Sequence, residues 1–166
     1  MSYHIYTTKG IVLSERAVGE ADRIYTILTR DLGKIQAQAI GARKNTSKMR
    51  GSIEPFSLSN ISFVKGKNYW RLTSAESIKR ISALPQIAKP FSLIEKLVQG
   101  EEPHPELFDT VEQFILSPKT EDEMFEIQMV SQILFHLGYL KKTDLDLDKK
   151  SLIKAINEGI QSSHLT

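Results

Sequence analysis

The stretch DRIYTILTRDLGKIQAQAI, residues 22–40, predicts two antiparallel strands joined by a tight turn. Its first part, DRIYTILTR, is apolar and β-branched on both faces, which is typical of a central strand. In KIQAQAI the side chains of Ile35, Ala37 and Ala39 share one face, and polar side chains occupy the other. The intervening RDLGK supplies Asp and Gly for a hairpin turn. The stretch therefore predicts a hairpin whose second strand is half-buried.

The flanking sequence predicts three more strands. GIVLSERAV (10–18) precedes the hairpin, and PFSLSNISFVKGKNYWRLTSAE (55–76) forms a second hairpin that turns at KGKN. In this second hairpin Phe56 and Leu58 are out of phase with Ile61 and Phe63, which predicts a bulge near Ser59–Asn60. Five bent strands in about 75 residues favour a small closed barrel over a flat sheet.

After residue 80 the apolar period lengthens to that of helices. HPELFDTVEQFIL (104–116) begins with Pro105 at a favoured first position. TEDEMFEIQMVSQILFHLGYL (120–140) opens on a capping box, Thr120 with Glu123, and ends at Gly138. KKSLIKAINEGIQ (149–161) predicts a last amphipathic helix. We therefore predict a β-barrel domain over residues 1–79 and an all-α domain over residues 80–166.

The composition excludes several classes of protein. Among the 166 residues there is no cysteine, which removes disulfides, thiolate metal sites and cysteine nucleophiles. No apolar run approaches the roughly 18 residues that span a bilayer, and MSYHIYTTKG lacks the apolar core of a secretory signal. We expect a cytoplasmic protein without a membrane partner.

The net charge of +2 conceals a division between the two halves. Residues 1–80 carry 14 Lys/Arg against 6 Asp/Glu, whereas residues 81–166 carry 8 against 14. A basic half attracts polyanions and an acidic half repels them. The pattern indicates a nucleic-acid-binding face in the barrel domain.

Catalytic and metal-binding patterns are not found. The four histidines, His4, His104, His136 and His164, have no metal-like spacing. DLDLD (144–148) resembles the start of a calcium loop but lacks the glycine and the final Glu that such a loop needs. Neither Gly-Lys pair belongs to a phosphate-binding loop. We predict that the protein is not an enzyme and needs no cofactor or metal.

Cations and one aromatic residue mark the candidate binding surface. IGARKNTSKMRG (40–51) has four cations and no acid, and KGKN adds two more. In NYWRLT, if Trp70 and Leu72 face the core, Tyr69 and Arg71 face outward, where an aromatic ring beside cations suits single-stranded nucleic acid. The predicted contacts are Lys34, Arg43, Lys44, Lys48, Arg50, Lys65, Lys67, Tyr69 and Arg71. Arg16 and Arg23 are weaker candidates, because strand arginines often pair with acids such as Glu20 or Asp22. The alternative is a solvated loop, with Tyr69 only covering the barrel.

The sequence resembles the RecO family of recombination mediators. The resemblance rests on GIVL, GEADRIYTILTRDLGK, the GARK…S…RG loop, PFSL and LTSAE, and HPELFDTVEQFI and FEIQMVSQILFHLGYL resemble two helices of the family's helical domain. It implies an oligonucleotide-binding (OB-fold) barrel followed by a helical domain. It also implies a DNA-repair protein that binds single- and double-stranded DNA, anneals complementary strands and helps to load recombinase on DNA coated by single-strand-binding protein (SSB). RecR and SSB are the implied partners.

Three departures from the family pattern change these expectations. Many members carry a four-cysteine zinc module after the LGY helix, and LGYLKKTDLDLDKK has no cysteine, so we expect no zinc. The segment after Glu76 is short for the family. The acidic helical half leaves only Lys141 and Lys142 as a local cationic pair for the acidic tail of SSB. Two alternatives stay open: an RNA-binding module, and an adaptor that mainly recruits proteins.

Overall fold

The computed structural model describes residues 3–40, 52–81, 85–119 and 121–164 and contains five strands followed by four α-helices. The strands are β1 (Ile5–Val18), β2 (Asp22–Thr29), β3 (Gly33–Ala39), β4 (Ser57–Lys65) and β5 (Trp70–Arg80). The helices are α1 (Pro85–Leu97), α2 (Pro105–Leu116), α3 (Met124–His136) and α4 (Lys149–Ser163), and a 3₁₀ helix (Lys142–Asp146) precedes α4. The prediction of an OB-fold domain followed by a helical domain is confirmed.

The chain divides into two compact units. The first, the barrel unit, consists of Met1–Ala83 together with Gln99–Pro105, and the second, the helical unit, consists of Leu84–Val98 and Glu106–Thr166. The segment between α1 and α2 therefore belongs to the barrel unit. The predicted domain boundary at residue 79 falls one residue before the end of β5 and stays a prediction.

The five strands pair in the ring order β1-β2-β3-β5-β4, which closes the sheet on itself. β1 is long enough to pair with β4 through its first half and with β2 through its second half. A register shift at Leu13 separates the residues Val12 and Ser14 and lets β1 bend between its partners. A short parallel pairing of β3 with β5, Ala37 with Trp70 and Gln38 with Arg71, completes the ring.

The first hairpin forms as its sequence predicts. Gly33 has a φ of 73°, a conformation that glycine adopts without steric cost. The buried hydroxyl of Thr29 donates to the carbonyl of Gly33 at 2.7 Å and accepts the amide N–H of Leu32 at 2.9 Å. Ile35, Ala37 and Ala39 are buried in the barrel core, whereas Gln36 is exposed.

The second hairpin corrects one prediction. Ser57 and Ser59 of β4 are buried in phase with Ile61 and Phe63, and Leu58 between them is buried as well. The register shifts between β4 and β5 leave the extra residues on β5, at Thr73 and Ile78. A bulge therefore lies opposite Leu58 and Ser59, next to the predicted position, but its extra residue is on β5 and not within β4.

The buried serines of β4 explain this error. The hydroxyl of Ser59 donates to the carbonyl of Ser52 at 2.7 Å, and that of Ser57 donates to the carbonyl of Glu54 at 2.5 Å. A buried hydroxyl is tolerated when its hydrogen bond is made. Both partners lie in the segment before β4, so no pattern within the strand shows that Ser57 and Ser59 are buried. The apolar residues alone therefore predicted a change of phase within β4.

Tyr25 of the barrel core predicts an alkaline limit to stability. It is 4% exposed, and burial, together with the negative charge of Glu15, raises its pKa to about 12. A raised pKa means that the fold favours the neutral phenol, so this stabilisation is complete below about pH 10 and is lost between about pH 10 and 12. We expect the free energy of unfolding to fall over this range, and Tyr25→Phe to reduce the fall. Denaturant titrations at a series of pH values measure it, with Tyr3→Phe, an exposed ring, as the control; an equal fall in both variants would contradict the prediction.

The helical unit has its own apolar core, formed by Leu93, Val130, Leu134, Leu140, Leu152 and Ile156. α1 was not predicted. α3 begins at Met124, whose amide N–H donates to the side chain of Asp122 at 2.8 Å, and Glu123 is its N-cap residue. The predicted Thr120–Glu123 capping box is therefore wrong, because Glu123 does not occupy the third helical position; Thr120 lies outside the described residues. Gly138, with a φ of 86°, follows the end of α3 as predicted. In the part of the chain that the structure describes, no helix has the length and apolarity needed to cross a membrane.

Candidate nucleic-acid interface

Cations gather beside the turn between β4 and β5. A surface cavity of about 380 Å³, here called the basic groove, opens there. It is lined by Lys34, Ile35, Gln36, Lys65, Gly66, Lys67, Asn68, Tyr69, Trp70, Gly100 and Glu101. Four of the nine predicted contacts, Lys34, Lys65, Lys67 and Tyr69, thus lie around one cavity although they come from two hairpins. Lysine ammonium groups attract phosphates, and the amides of Gln36 and Asn68 add hydrogen-bonding groups.

Tyr69 is joined to Arg16, which the sequence ranked only as a weaker candidate. The guanidinium of Arg16 donates to the Tyr69 hydroxyl at 3.0 Å, and its central carbon lies 5.9 Å from the centre of the ring. Tyr69 is half-buried, and Trp70 is buried as predicted. The contact brings a further cation to the edge of the basic groove. The acids Glu20 and Asp22, which the sequence suggested as partners, are not needed to explain the position of Arg16.

Arg23 has a different environment. Its guanidinium forms an ion pair with Glu15 across β1 and β2, and the hydrogen bond and charge of Glu15 raise the pKa of Arg23 above its ordinary value. Asp22, one of the two acids predicted to hold it, instead accepts a hydrogen bond from Gln38 at 3.3 Å. A phosphate would have to compete with Glu15 for Arg23, which makes this residue the weaker of the two arginines.

Trp70 connects the barrel to the segment Gln99–Pro105. Its indole N–H donates to the carboxylate of Glu101 at 2.8 Å, and the ammonium of Lys65 lies 5.8 Å from the centre of its ring. The amide N–H of Lys34 donates to the carbonyl of Gly100 at 3.2 Å. A negative charge therefore lies within the basic groove. Sequence reasoning missed Glu101, because it is 31 positions from Trp70 and no local pattern connects the two.

The position of Glu101 predicts a gain in affinity when its charge is removed. Glu101→Gln keeps an oxygen that can accept the Trp70 N–H but no longer repels phosphates. Because exposed charges interact by about 0.2–1 kcal/mol, we expect single-stranded DNA to bind roughly two- to fivefold more tightly. Fluorescence anisotropy at low salt measures this change. Glu76→Gln, an exposed carboxylate that lines neither groove, is the control, and an equal gain there would show a general charge effect.

A second cavity, of about 660 Å³, also opens beside this turn. This apolar groove is lined by Tyr3, Ile40, Val64, Lys65, Gly66, Arg71, Leu72 and Thr73. It shares Lys65 and Gly66 with the basic groove. Arg71, which was predicted to act with Tyr69, is exposed and belongs to this second groove instead.

Four predicted contacts lie outside the described residues: Arg43, Lys44, Lys48 and Arg50. The described chain ends on one side of them at Ile40, a residue of the apolar groove, and resumes at Ser52. Their role stays a prediction from the sequence.

The remaining candidates lie in the helical unit. Lys141 and Lys142 are exposed, and the amide N–H of Lys141 donates to the carboxylate of Asp144 at 2.8 Å. Asp148 is the N-cap residue of α4, and its hydrogen bond with the Ser151 side chain lowers the pKa of the carboxyl. Asp144 and Asp148 of DLDLD thus lie at helix ends. Among the described residues, no cluster of three or more His, Asp or Glu side chains suits a metal ion.

Comparisons with known proteins identify relatives of this chain. Residues 1–81 match the family described as recombination protein O N terminal. The DNA repair protein RecO of Heliobacterium modesticaldum is 41% identical over 80 residues, which are 48% of this chain and 29% of that protein. The RecO protein of Caldanaerobacter subterraneus is 27% identical over 147 residues, which are 82% of this chain. That of Trichodesmium erythraeum is 30% identical over 148 residues, which are 80% of this chain. These matches cover 60% and 51% of the two proteins, so the chain spans about half to three-fifths of the length of these relatives.

Proposed function

This chain belongs to the RecO family through its N-terminal domain, and from that premise we propose that it acts in DNA repair by binding single- and double-stranded DNA and annealing complementary strands. The observation that carries the proposal is the basic groove, where lysines from two hairpins surround one cavity beside a tyrosine. We further propose that residues 1–79 are the DNA-binding domain and that residues 80–166 serve other contacts.

The proposed mechanism is electrostatic and needs no covalent step. Two DNA strands repel each other through their phosphates, and cations that contact both backbones lower this repulsion. The cations that we assign to this role are Lys34, Arg43, Lys44, Lys48, Arg50, Lys65, Lys67 and Arg71. Tyr69 supports the binding of single strands because it lines the basic groove, where its ring can stack on an unpaired base.

The wider role follows from the family. We propose that the protein assists recombinase loading on SSB-coated DNA together with RecR, in the bacterial cytoplasm at the nucleoid. The exposed pair Lys141 and Lys142 is the proposed contact for the acidic tail of SSB, because it adds positive charge to an otherwise acidic half of the chain.

Annealing of complementary strands tests the proposal. Two labelled complementary oligonucleotides are mixed with and without the protein, and the rate of duplex formation is followed by energy transfer between the labels. We expect the protein to raise the rate above the spontaneous value. If it does not, the annealing mechanism is wrong.

The same oligonucleotides separate the alternatives. Tighter binding of RNA than of DNA of equal sequence would favour an RNA-binding module, because a protein that reads the 2′-hydroxyl prefers RNA. If neither nucleic acid binds while RecR or SSB is captured, the protein is an adaptor.

A further inference from the structure

The apolar groove combines features that the annealing mechanism does not use. Tyr3 is 72% exposed and Ile40 is 53% exposed, which is high for apolar side chains that line a cavity. Val64 and Leu72 complete its apolar wall, and Lys65 and Arg71 are its charged residues. Among the described residues that line it, none is an acid. A ligand with an apolar body and a negative charge therefore fits the groove.

The location of the groove points to the DNA strand that we propose to bind in the neighbouring basic groove. Lys65 and Gly66 line both cavities, so the two grooves meet at the start of the β4–β5 turn. A strand whose phosphates lie in the basic groove thus reaches the apolar groove within a short step along its backbone. Lys65 can contact the phosphate at the crossing, and Arg71 can contact the next one.

We propose that the apolar groove holds an unpaired nucleobase of bound single-stranded DNA, with the flanking phosphates on Lys65 and Arg71. This inference rests on the DNA binding proposed above and adds a subsite that discriminates single strands from duplex. Every base has an apolar face that can stack on an aromatic ring, and Tyr3 offers such a ring. The faces of the bases in a duplex are stacked inside it and reach a pocket only after unpairing.

The charge of the groove argues for this ligand over an apolar peptide. Its cations belong to the same surface that attracts phosphates, and a nucleotide supplies the apolar face and the negative charge in one unit. A groove of about 660 Å³ is also within the range of roughly 300–1,000 Å³ that small-ligand sites occupy. A partner polypeptide is the competing occupant, and the experiment below distinguishes the two.

The test compares two classes of variant on two forms of DNA. Tyr3→Ala and Ile40→Ser change the apolar wall, Lys65→Gln changes the shared cation, and Ile78→Ser changes an exposed isoleucine of β5 that lines neither groove. Binding of a single strand and of the blunt duplex of the same sequence is measured at several salt concentrations. Fluorescence of Trp70, the only tryptophan, reports whether each variant keeps the barrel intact.

We expect Tyr3→Ala to weaken single-strand binding by about 5- to 150-fold, the range for losing one base–aromatic stack, and Ile40→Ser to weaken it less. Neither should change duplex binding or the salt dependence, because no phosphate contact is removed. Lys65→Gln should weaken the binding of both single-stranded and duplex DNA and make its salt dependence shallower. Ile78→Ser should bind both forms of DNA as the native chain does.

A strand of abasic nucleotides gives an independent readout, since it keeps the phosphates and lacks the bases. The native protein should bind it more weakly than the normal strand, and in Tyr3→Ala this difference should shrink. If Tyr3→Ala and Ile40→Ser bind single strands like the native chain, the groove does not hold a base and a polypeptide becomes its occupant. Equal losses on single strands and duplex would also overturn the inference. If the native chain binds neither form of DNA, the proposed function itself fails.

Discussion

We expect the slope of log affinity against log salt concentration for single-stranded DNA to become shallower by up to about 3 when four cations, Arg43, Lys44, Lys48 and Arg50, are changed together to Ala. The slope of log affinity against log salt is about −0.7 per neutralised phosphate for single strands, and the loop offers four contacts. At about 0.1 M salt this loss corresponds to roughly 10²–10³ in affinity. The segment holds four cations and no acid within twelve residues, 40–51, so no charge inside it offsets their attraction for phosphates.

A charge-matched control separates phosphate contacts from the change in net charge. Four exposed lysines of the helical unit, Lys89, Lys119, Lys150 and Lys154, are changed to Ala in one variant. Its net charge equals that of the loop variant, but we expect its salt slope to stay near the native value. If the two variants lose affinity equally, long-range attraction explains the effect. If neither loses affinity, residues 40–51 are a solvated loop and the basic groove is the main phosphate site.

Gly33→Ala is expected to destabilise the barrel unit by roughly 2–5 kcal/mol, a large part of the total stability of about 5–15 kcal/mol that is usual for a protein. A Cβ on Gly33 would lie 2.5 Å from the backbone carbonyl carbon of Glu101, and its φ of 73° disfavours any side chain. The conformational part costs about 1–2 kcal/mol, and overpacking typically adds about 1–3 kcal/mol. The clash involves backbone atoms, so it is relieved only if the segment Gln99–Pro105 moves.

Gly19→Ala is the matched control for this prediction. Gly19 has a similar φ of 62°, but a Cβ added there meets nothing within 4 Å. It should therefore show only the conformational cost. Denaturant unfolding followed by Trp70 fluorescence measures both variants, and in Gly33→Ala the emission should also move to longer wavelength as the indole loses Glu101 and gains water. Equal destabilisation of the two variants would mean that the segment does not pack closely against Gly33.

The binding surface was predictable in part. Lys34, Lys65, Lys67 and Tyr69 were found from hairpin turns and strand alternation, because both are local properties of the chain. The contacts of the arginines were not. Arg16 meets Tyr69 across 53 positions, and Arg23 pairs with Glu15 instead of the nearer acids.

The apolar groove had no local signal. Tyr3, Ile40 and Val64 are far apart in sequence, and they line one cavity only because the ring of strands brings β1, the end of β3 and β4 together. Each of these residues alone reads as an ordinary strand or loop residue. Their exposure is visible only in the folded chain.

By itself, the sequence determined the order of the five strands and of three of the four α-helices, the two hairpin turns, the basic character of the first half and the resemblance to RecO. These depend on residue types and on spacings of a few positions, which act within one element or one turn. Only the tertiary structure decided that β4 buries Ser57 and Ser59, that Glu101 binds Trp70, and that two grooves share Lys65. The physical reason is that these contacts join residues distant in sequence. Their energies depend on barrel closure and on which polar groups find partners there.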